Sequence, residues 1–247
     1  MKENFLLSVI IPAYNEEKRL PKTLIDIYNY LLSKNYNFEL IVVSDGSKDK
    51  TCQVAEDLKE KIKNLEVVCE KINRGKGYAI KLGVERAKGD FIIFTDADNS
   101  TPISEIEKFW PEFEKGADVV IGSRDKKGAI LDPPQSLFRR FVGEVFKYLR
   151  KIIVGLWEIE DTQCGFKCFR QKTAKEIFKI SKIERFAFDV EILAIAKKFG
   201  YKISEVPIYW RNDPNSKVKF KWMVNMAFEL LKIKFNFLTK KYERIPI

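Results

Sequence analysis

The stretch Phe91-Ile-Ile-Phe-Thr-Asp-Ala-Asp-Asn-Ser100 joins a short apolar run to two carboxylates that are one residue apart. The apolar part is typical of a strand that is buried on both faces. Because a buried charge without a partner is costly, the end of this strand is expected to hold something that offsets Asp96 and Asp98. If strand geometry continues through them, the i, i+2 spacing directs both carboxylates to the same side.

Three similar apolar runs precede this stretch, and a segment long enough for a crossover helix follows each of them. The runs are Leu6–Ala13, Phe38–Ser44 and Leu65–Cys69, and the segments between strands are Leu20–Leu32, Thr51–Ile62 and Gly77–Ala87. The alternation of strand and helix predicts an α/β fold with a mostly parallel central sheet, right-handed crossovers and flanking helices.

Unusual polar residues follow each of these strands. The sequences are Pro12-Ala-Tyr-Asn-Glu16, Ser44-Asp-Gly-Ser47 and Asn73-Arg-Gly-Lys-Gly77. Each one, like Asp96-Ala-Asp98, also has an ordinary reading as a turn or a helix cap. Ligands of open α/β sheets bind beyond the carboxyl ends of the strands, so we expect the four segments to converge on one site.

The composition restricts the chemistry of that site. The chain has 247 residues, of which 45% are hydrophobic, and this favours one domain with room for a short accessory segment. The 45 Lys and Arg against 35 Asp and Glu indicate an anionic partner. With no histidine in the chain, catalysis has to use carboxylates, cations and a metal held by oxygen. Aromatic residues lie in core-like runs and are not interleaved with a basic strip, which argues against nucleic acid as the partner.

The cysteines and the hydropathy pattern bear on the cellular setting. The four cysteines are few for this length, and we expect reduced thiols in a cytosolic protein. Cys164 and Cys168 lack further Cys or His ligands, so a metal site there is not expected. We expect neither a signal peptide nor a transmembrane span.

Two segments of the second half are predicted to be amphipathic helices. Leu137–Trp157 has a basic stripe opposite an apolar one, and Lys221–Thr239 is apolar or aromatic except for a narrow polar stripe. Such helices either lie in a membrane interface or pack on their own core or a twin subunit. We divide the chain into a catalytic domain, 1–212, and a C-terminal amphipathic helical segment, 213–247, that is membrane-interfacial or packed on the core.

The ordered motifs of the chain resemble the family 2 glycosyltransferases with the GT-A fold, which is Rossmann-like, and the resemblance runs from about Leu7 to at least Lys217. Within the family the chain is similar to the enzymes that use dolichyl phosphate. It resembles those that transfer glucose more than those that transfer mannose. The motifs are SVIIPAYNEEKRLPKTL, VVSDGSKDKT, NRGKGYAIKLG, Asp96-Ala-Asp98, Gly122-Ser-Arg124, DTQCGFK at Asp161–Lys167 and FAFDVEIL at Phe186–Leu193.

The resemblance implies specific roles on the donor side. The positions for the nucleotide are Pro12, Tyr14, Glu16, Asp45, Lys76, Asp96 and Asp98. Asp96 and Asp98 would be the DxD-type pair that holds Mg²⁺ or Mn²⁺ and the donor diphosphate, and Asp161 or Gln163 would contact the sugar. Two departures matter: Ser44 replaces the usual first acid of an acidic pair before Gly46-Ser47, and Ser100 replaces a Gln that is common in the mannosyl enzymes.

On the acceptor side, the resemblance implies cations around a lipid phosphate, namely Arg124, Arg139, Arg140 and Lys217. Asp189 and Glu191 lie where relatives with hydroxyl acceptors have a general base, and which of the two would act stays open. A phosphate monoester is already largely dianionic at neutral pH, so it needs little help from a base. The catalytic roles would fall on Asp98, Arg124, Asp189 and Lys217.

The expected activity is an inverting, metal-dependent transfer of glucose from UDP-glucose to a polyprenyl or dolichyl phosphate. We expect a peripheral protein at the cytoplasmic face of a membrane. Mannose from GDP-mannose, N-acetylglucosamine from UDP-GlcNAc and a glycan hydroxyl as acceptor stay open as alternatives. A catalytically inactive lipid-binding protein is disfavoured, because both Asp96 and Asp98 are present.

Overall fold

The computed structural model describes residues 5–133, 137–211 and 220–244, and the side chains of 137–142 and 220–224 are left out of the description. The first half alternates strand and helix as the sequence predicts. Its elements are β1 (Leu6–Ala13), α1 (Leu20–Ser33), β2 (Asn37–Asp45), α2 (Thr51–Asp57), β3 (Leu65–Glu70), α3 (Lys76–Arg86) and β4 (Phe91–Phe94).

The second half adds strands to the same sheet and helices to its faces. Its elements are α4 (Trp110–Glu114), β5 (Val119–Ser123), β6 (Ile130–Asp132), α5 (Leu137–Val154), β7 (Lys167–Arg170), α6 (Gln171–Ile180), α7 (Phe188–Lys198), β8 (Ile203–Pro207), β9 (Tyr209–Arg211) and α8 (Phe220–Leu238). Short 3₁₀ helices span Leu58–Glu60 and Ile103–Lys108.

The main sheet has the strand order β3-β2-β1-β4-β7-β5-β8 among the described residues. Its pairs are parallel except at β7, which runs antiparallel to both neighbours, β4 and β5. The predicted, mostly parallel α/β sheet is therefore confirmed. Because β7 is reversed, Lys167 at its start pairs with Phe94 at the end of β4. This reversal brings Lys167 to the edge of the sheet where the parallel strands end.

Helices cover both faces of the sheet. On one face, Leu20, Leu24, Ile27 and Leu31 of α1 are buried against Val9 and Ile11 of β1, while Ile10 belongs to the cluster on the other face. The i, i+4, i+7, i+11 spacing of the four α1 residues places them on a single side of the helix. The second face is packed by α3, α6 and α7, and Leu230 and Ile233 of α8 join its core. The sheet is thus held rigidly between two apolar layers, with its polar strand ends at one edge.

Helices α5 and α8 both expose large apolar side chains. They pack against each other, and large apolar side chains of both, together with Trp157 after α5, face outward. The exposed residues are Val145, Tyr148, Leu149, Ile152, Trp157, Phe228, Leu231, Phe235 and Leu238. In contrast, Arg150 and Asn236 are only 1% and 2% exposed. We call these nine outward side chains the apolar face. No helix in the described part of the chain is both long and apolar enough to cross a membrane.

The expectation of four reduced thiols is wrong for two of them. Cys52 of α2 and Cys69 of β3 form a disulfide across a Cα–Cα distance of 6.0 Å, whereas Cys164 and Cys168 are free and buried. The sequence gives no CxxC-type signal for this bond, because the two cysteines meet only after α2 has packed beside β3. The disulfide joins the segments that follow β2 and precede α3, both of which lead to the polar edge of the sheet.

Removing this disulfide is expected to lower the free energy of unfolding by about 3 kcal/mol. The bond links cysteines that are 17 residues apart, and without it the unfolded chain gains conformational entropy. Chemical denaturation of the Cys52→Ser/Cys69→Ser variant measures the loss. Dithiothreitol should destabilise the wild type to the same extent and leave the variant unchanged. A variant as stable as the wild type would contradict the expectation.

Candidate active site

The segments after β1 and β2 are joined by side chains that bond to each other's backbone. Ser47 Oγ accepts the Asn15 amide at 3.1 Å, and Asn15 Oδ1 accepts the Lys48 amide at 2.8 Å. Thr51 Oγ1 accepts the Glu16 amide at 2.7 Å. These bonds fix the start of the predicted nucleotide site, where Tyr14 is 39% exposed. Sequence reasoning missed Asn15, Ser47 and Thr51, although Asn, Ser and Thr next to a turn are typical of side-chain-to-backbone bonds.

Asp45 holds the segment that leads into α3. Its carboxylate accepts the amides of Arg74 at 3.0 Å and Gly75 at 2.7 Å and the side-chain amide of Asn73 at 2.9 Å. Gly75 has φ of 126°, a conformation that favours glycine. Burial raises the pKa of Asp45 although these bonds favour its ionised form. Asp45 therefore positions the start of α3, and a contact with a nucleotide base stays a prediction.

The two carboxylates of Asp96-Ala-Asp98 are brought together by a turn. β4 ends at Phe94, so strand geometry does not continue through both residues, and the i, i+2 argument for their shared side does not apply. The Asn99 amide donates to the Asp96 carbonyl at 3.3 Å, with Asn99 at φ of 55°. Asp98 accepts the Ser100 amide at 2.9 Å. Burial, and then repulsion from Asp96, raise the pKa of Asp98, so the pair has a surplus of negative charge.

Neighbouring elements hold this turn in place. Thr23 of α1 donates its hydroxyl to the Ala97 carbonyl at 2.8 Å, and the Arg211 amide at the end of β9 donates to the Ser100 carbonyl at 2.7 Å. Gly165 lies directly against Asp96, since a Cβ atom built on Gly165 would be 2.1 Å from Asp96 Oδ2. The close approach explains why the DTQCGFK motif has a glycine at this position. It also places that motif beside the carboxylate pair.

Four charged side chains of alternating sign meet behind the turn. Lys76 Nζ lies 2.5 Å from Asp96 Oδ1, and Lys167 Nζ lies 2.5 Å from Asp189 Oδ1. Burial opposes the charged form of Lys76, but Asp96 and Asp189 outweigh it and raise its pKa. Lys167 and Asp189 are buried, with side chains 0% and 4% exposed. Lys167 was missed by sequence reasoning, because no local pattern shows that β7 is reversed.

Only one of the two candidate bases lies at this cluster. Asp189 is close enough to Lys76 and Asp96 to interact electrostatically with both, and burial raises its pKa. Glu191 is fully buried and accepts the amides of Lys182 at 2.8 Å and Ile183 at 2.9 Å and the Tyr242 hydroxyl at 2.5 Å. Because these three bonds occupy its carboxylate, Glu191 has a structural role. Of the two, Asp189 is the one that can act on a ligand at Asp96 and Asp98.

Arg124 and Asp161 form a two-pronged ion pair, in which the Asp161 side chain is 4% exposed and the Arg124 side chain 20%. Arg124 Nε and Nη2 donate to Asp161 Oδ2 and Oδ1 at 2.7 and 2.9 Å. Asp161 also accepts the amides of Arg124, Gln163 and Cys164 at 2.9–3.1 Å. Although burial opposes ionisation of Asp161, Arg124 holds its pKa well below the usual range. Asp161 thus anchors the loop that carries Gln163 and Gly165, and its predicted sugar contact stays a prediction.

Of the remaining predicted residues, Gln163 is described, whereas the side chains of the predicted acceptor residues are not. The Nε2 atom of Gln163 is buried and has no hydrogen-bond partner in the described structure, which leaves its two N–H donors for a ligand. Burial raises the pKa of the Cys164 thiol to about 12, so it stays protonated at neutral pH. The side chains of Arg139 and Arg140, and all of Lys217, lie outside the described residues. Their predicted contacts with an acceptor phosphate stay predictions.

Residues 8–178 match glycosyl transferase family 2. The dolichyl-phosphate beta-glucosyltransferase of Trichomonas vaginalis is 38% identical over 237 residues, which cover 92% of this chain and 72% of the relative. The chain belongs to glycosyl transferase family 2. The human dolichyl-phosphate beta-glucosyltransferase is 36% identical and that of Saccharomyces cerevisiae 33%, and the matches cover 94% and 97% of this chain and 76% and 77% of the relatives. This family 2 chain is therefore a glycosyltransferase, as its motifs predict.

Two solved structures of sugar-phosphoglycerate synthases have the same fold. Glucosyl-3-phosphoglycerate synthase from Mycobacterium tuberculosis superposes with a TM-score of 0.69 at 19% identity, covering 98% of this chain and 82% of that one. Mannosyl-3-phosphoglycerate synthase from Rubrobacter xylanophilus has a TM-score of 0.70 at 17% identity, covering 98% and 77%. At this identity the likeness establishes the GT-A-like fold alone.

Gly165→Ala is expected to lower kcat/KM for sugar transfer by about 100-fold, because the new methyl group has to displace the Asp96 carboxylate and misplacement by about 1 Å has such an effect. The melting temperature should change little, since the Asp96 side chain is 37% exposed and can move. Gly143→Ala is the control, because outside its own helix no atom of the described residues lies within 4 Å of its Cβ position. Activity of Gly165→Ala within threefold of the wild type would contradict the role of this contact.

Proposed function

We propose that the protein transfers glucose from UDP-glucose to a dolichyl-type polyprenyl phosphate, with inversion at the sugar. The observation that carries this proposal is the 33–38% identity, over nearly the whole chain, to relatives that are named dolichyl-phosphate beta-glucosyltransferases. A phosphate oxygen of the lipid attacks C1 of glucose, the bond from C1 to the UDP oxygen breaks, and UDP leaves. The β product of the relatives' name is consistent with inversion of an α-linked donor.

The carboxylate pair fits a divalent cation. Mg²⁺ and Mn²⁺ bind through one or two carboxylates and complete their coordination with substrate phosphate and water. Asp96 and Asp98 supply two carboxylates, and the raised pKa of Asp98 marks the charge that a cation would offset. When bound, such an ion neutralises the negative charge that develops on the departing UDP. Structures of the Mycobacterium tuberculosis synthase with Mn²⁺ and UDP, or with Mg²⁺ and UDP, are consistent with this choice.

The protein's own cations orient the reaction. Lys76 holds Asp96 and carries a positive charge at the donor side. The nucleotide is assigned to the edge formed by Pro12, Tyr14 and Glu16, with Asp45 fixing the adjoining turn. The amide donors of Gln163 are free to bond a sugar hydroxyl. Arg124 remains assigned to the acceptor phosphate together with Arg139, Arg140 and Lys217, because guanidinium and ammonium groups suit phosphate oxygens.

The apolar face is assigned to a membrane surface. Its nine side chains are exposed on the packed helices α5 and α8 and on Trp157, and the lysines Lys232, Lys234, Lys240 and Lys241 on and after α8 are exposed as well. Apolar side chains flanked by lysines are typical of helices that lie in the headgroup region. Because the proposed acceptor is a membrane lipid, attachment through this face would bring the active site to its substrate. We therefore propose peripheral attachment at the cytoplasmic side, where the soluble nucleotide sugar is the donor.

A transfer assay with purified protein tests the proposal. The protein is incubated with Mg²⁺ or Mn²⁺, radiolabelled UDP-glucose and a short polyprenyl phosphate, and the labelled lipid is extracted. We expect glucosyl phosphoryl lipid with a β anomeric linkage, and no product with the corresponding polyprenol. GDP-mannose and UDP-N-acetylglucosamine are the competing donors, and a glycan is the competing acceptor. Absence of transfer from UDP-glucose, or equal transfer to the polyprenol, would overturn the proposal.

A further inference from the structure

Helix α8 buries two polar side chains beside the apolar residues Leu230 and Ile233, and it exposes large apolar side chains on its other side. Asn236 is buried, and Glu229 is half-buried, while Phe228, Leu231 and Phe235 are more than half exposed. Burial raises the pKa of Glu229. A polar group that is taken out of water requires a partner, and both inward residues have one. Helix α8 therefore has part of the apolar face on its outer side and specific polar contacts on its inner side.

The partner of Glu229 is the beginning of helix α7. Glu229 Oε2 accepts the backbone amide of Ala187 at 3.0 Å. Ala187 is the residue immediately before the first turn of α7. Amide groups at a helix start lack acceptors within the helix, and a carboxylate there is favoured by both hydrogen bonding and the helix dipole. Glu229 thus fixes the position of the first turn of α7 from a neighbouring helix.

The first turn of α7 carries the active-site residue Asp189, two residues after Ala187. Asp189 pairs with Lys167 at 2.5 Å and interacts with Lys76 and Asp96. The preceding Phe188 packs on the start of α3, where a Cβ atom built on Gly77 would be 2.6 Å from Phe188 Cβ. Lys76 is the neighbour of Gly77. A displacement of this turn would therefore move both Asp189 and the residue that binds Asp96.

A second tie connects the end of α8 to the same helix. Asn236 Nδ2 donates to the Tyr242 hydroxyl at 2.9 Å, and that hydroxyl donates to Glu191 Oε1 at 2.5 Å. Glu191 lies on α7 two residues after Asp189. The two ties are about two helical turns apart on α8, so they constrain the angle between α8 and α7 as well as their separation.

We propose that Glu229 is a positioning residue that couples the apolar face of α8 to the active site, by holding the Ala187 amide and with it Asp189. This inference rests on the proposed lipid-phosphate glucosyl transfer. When a lipid surface holds α8, the first turn of α7 is held as well, so the geometry around Asp96 is stabilised further on the surface that contains the acceptor. The chemistry of the partner is a lipid headgroup layer that accommodates apolar side chains and lysines.

The test compares Glu229→Ala with Glu229→Gln and with Glu243→Ala. The Gln side chain can still accept the Ala187 amide, and Glu243 is an exposed acid paired with Lys198 at 3.1 Å. With a short polyprenyl phosphate in anionic phospholipid vesicles, Glu229→Ala is expected to lower kcat by about 10- to 100-fold, with KM for UDP-glucose within about threefold of the wild type. Glu229→Gln and Glu243→Ala should keep kcat near the wild-type value. An unchanged kcat in Glu229→Ala, or an equal loss in Glu229→Gln, would overturn the proposal.

Hydrogen exchange provides a readout that does not depend on turnover. Vesicles alone are expected to slow exchange of the Ala187 and Asp189 amides in the wild type and in Glu229→Gln, and to leave those amides unaffected in Glu229→Ala. Equal protection in all variants would overturn the coupling. If the wild type transferred no glucose yet showed this pattern, the proposed function would fail while the coupling stood. Transfer by the wild type without this pattern would overturn the coupling while the proposed function stood.

Discussion

Asp98→Asn is expected to lower the rate of glucosyl transfer by about three orders of magnitude. The substitution removes one of the two carboxylates assigned to the divalent cation, and loss of a preorganised charge at the leaving group typically has an effect of this size. The transfer assay with UDP-glucose measures the loss, and Asp57→Asn, an exposed α2 residue that bonds Gln53, is the matched control. Retention of more than a tenth of the wild-type rate would reject the metal assignment of Asp98.

The same substitution should not destabilise the unliganded protein. Burial and repulsion from Asp96 raise the folded-state pKa of Asp98 above that of the unfolded chain. A group with a raised folded pKa favours folding in its protonated form, and this contribution is lost as pH rises through the folded pKa. At pH 7 the Asp98 carboxyl group therefore lowers the free energy of unfolding, and asparagine removes this cost. We expect a melting temperature equal to the wild type or higher by up to about 4 °C.

Ligand binding separates the two effects of Asp98→Asn. Mn²⁺ with UDP should raise the melting temperature of the wild type, because ligands that bind only the folded state stabilise it. The variant should lose most of this increase while its unliganded melting temperature is unchanged or higher. A lower melting temperature without ligand would show instead that Asp98 acts mainly in folding.

The strands and the centre of the site were predictable from the sequence because both depend on local patterns. The first predicted run coincides with β1, Leu6–Ala13, and the fourth predicted run differs from β4 by one residue. Since parallel strands end at one edge of a sheet, Asp96, Asp98 and Lys76 could be assigned to one site before their distances were known. The contact of Lys76 with Asp96 agrees with that assignment.

The parts that could not be predicted depend on contacts between residues far apart in the chain. The reversal of β7, which places Lys167 at the site, is set by pairing with β4 and β5. The ion pair of Arg124 with Asp161 and the disulfide of Cys52 with Cys69 have the same origin. For α5 and α8 the helical period was visible, but periodicity does not tell which side faces the core when both sides carry apolar residues.

Asp189→Asn is expected to lower the free energy of unfolding by about 3–5 kcal/mol, the usual cost of leaving one member of a buried ion pair without its partner. Lys167 is fully buried and would lose the negative charge that lies 2.5 Å from its ammonium group, although asparagine could still accept its hydrogen bond. Urea denaturation measures the change. Glu158→Gln, which breaks an exposed pair with Lys197, should cost at most about 1 kcal/mol. Adding Lys167→Met to Asp189→Asn should restore most of the lost stability, and a failure to do so would contradict the pairing.

The activity of the folded Asp189→Asn protein discriminates the two kinds of acceptor. A hydroxyl acceptor has to lose its proton during attack, so loss of a general base would lower kcat by about 10²- to 10⁴-fold. A lipid phosphate is already an anionic nucleophile, so asparagine in this position would affect kcat through Lys76 and Asp96 only, and we expect a loss of about tenfold or less. The kcat of the variant, measured at a temperature where it is fully folded, should fall in the smaller range. A loss beyond a hundredfold with a bell-shaped pH profile in the wild type would favour the hydroxyl acceptor.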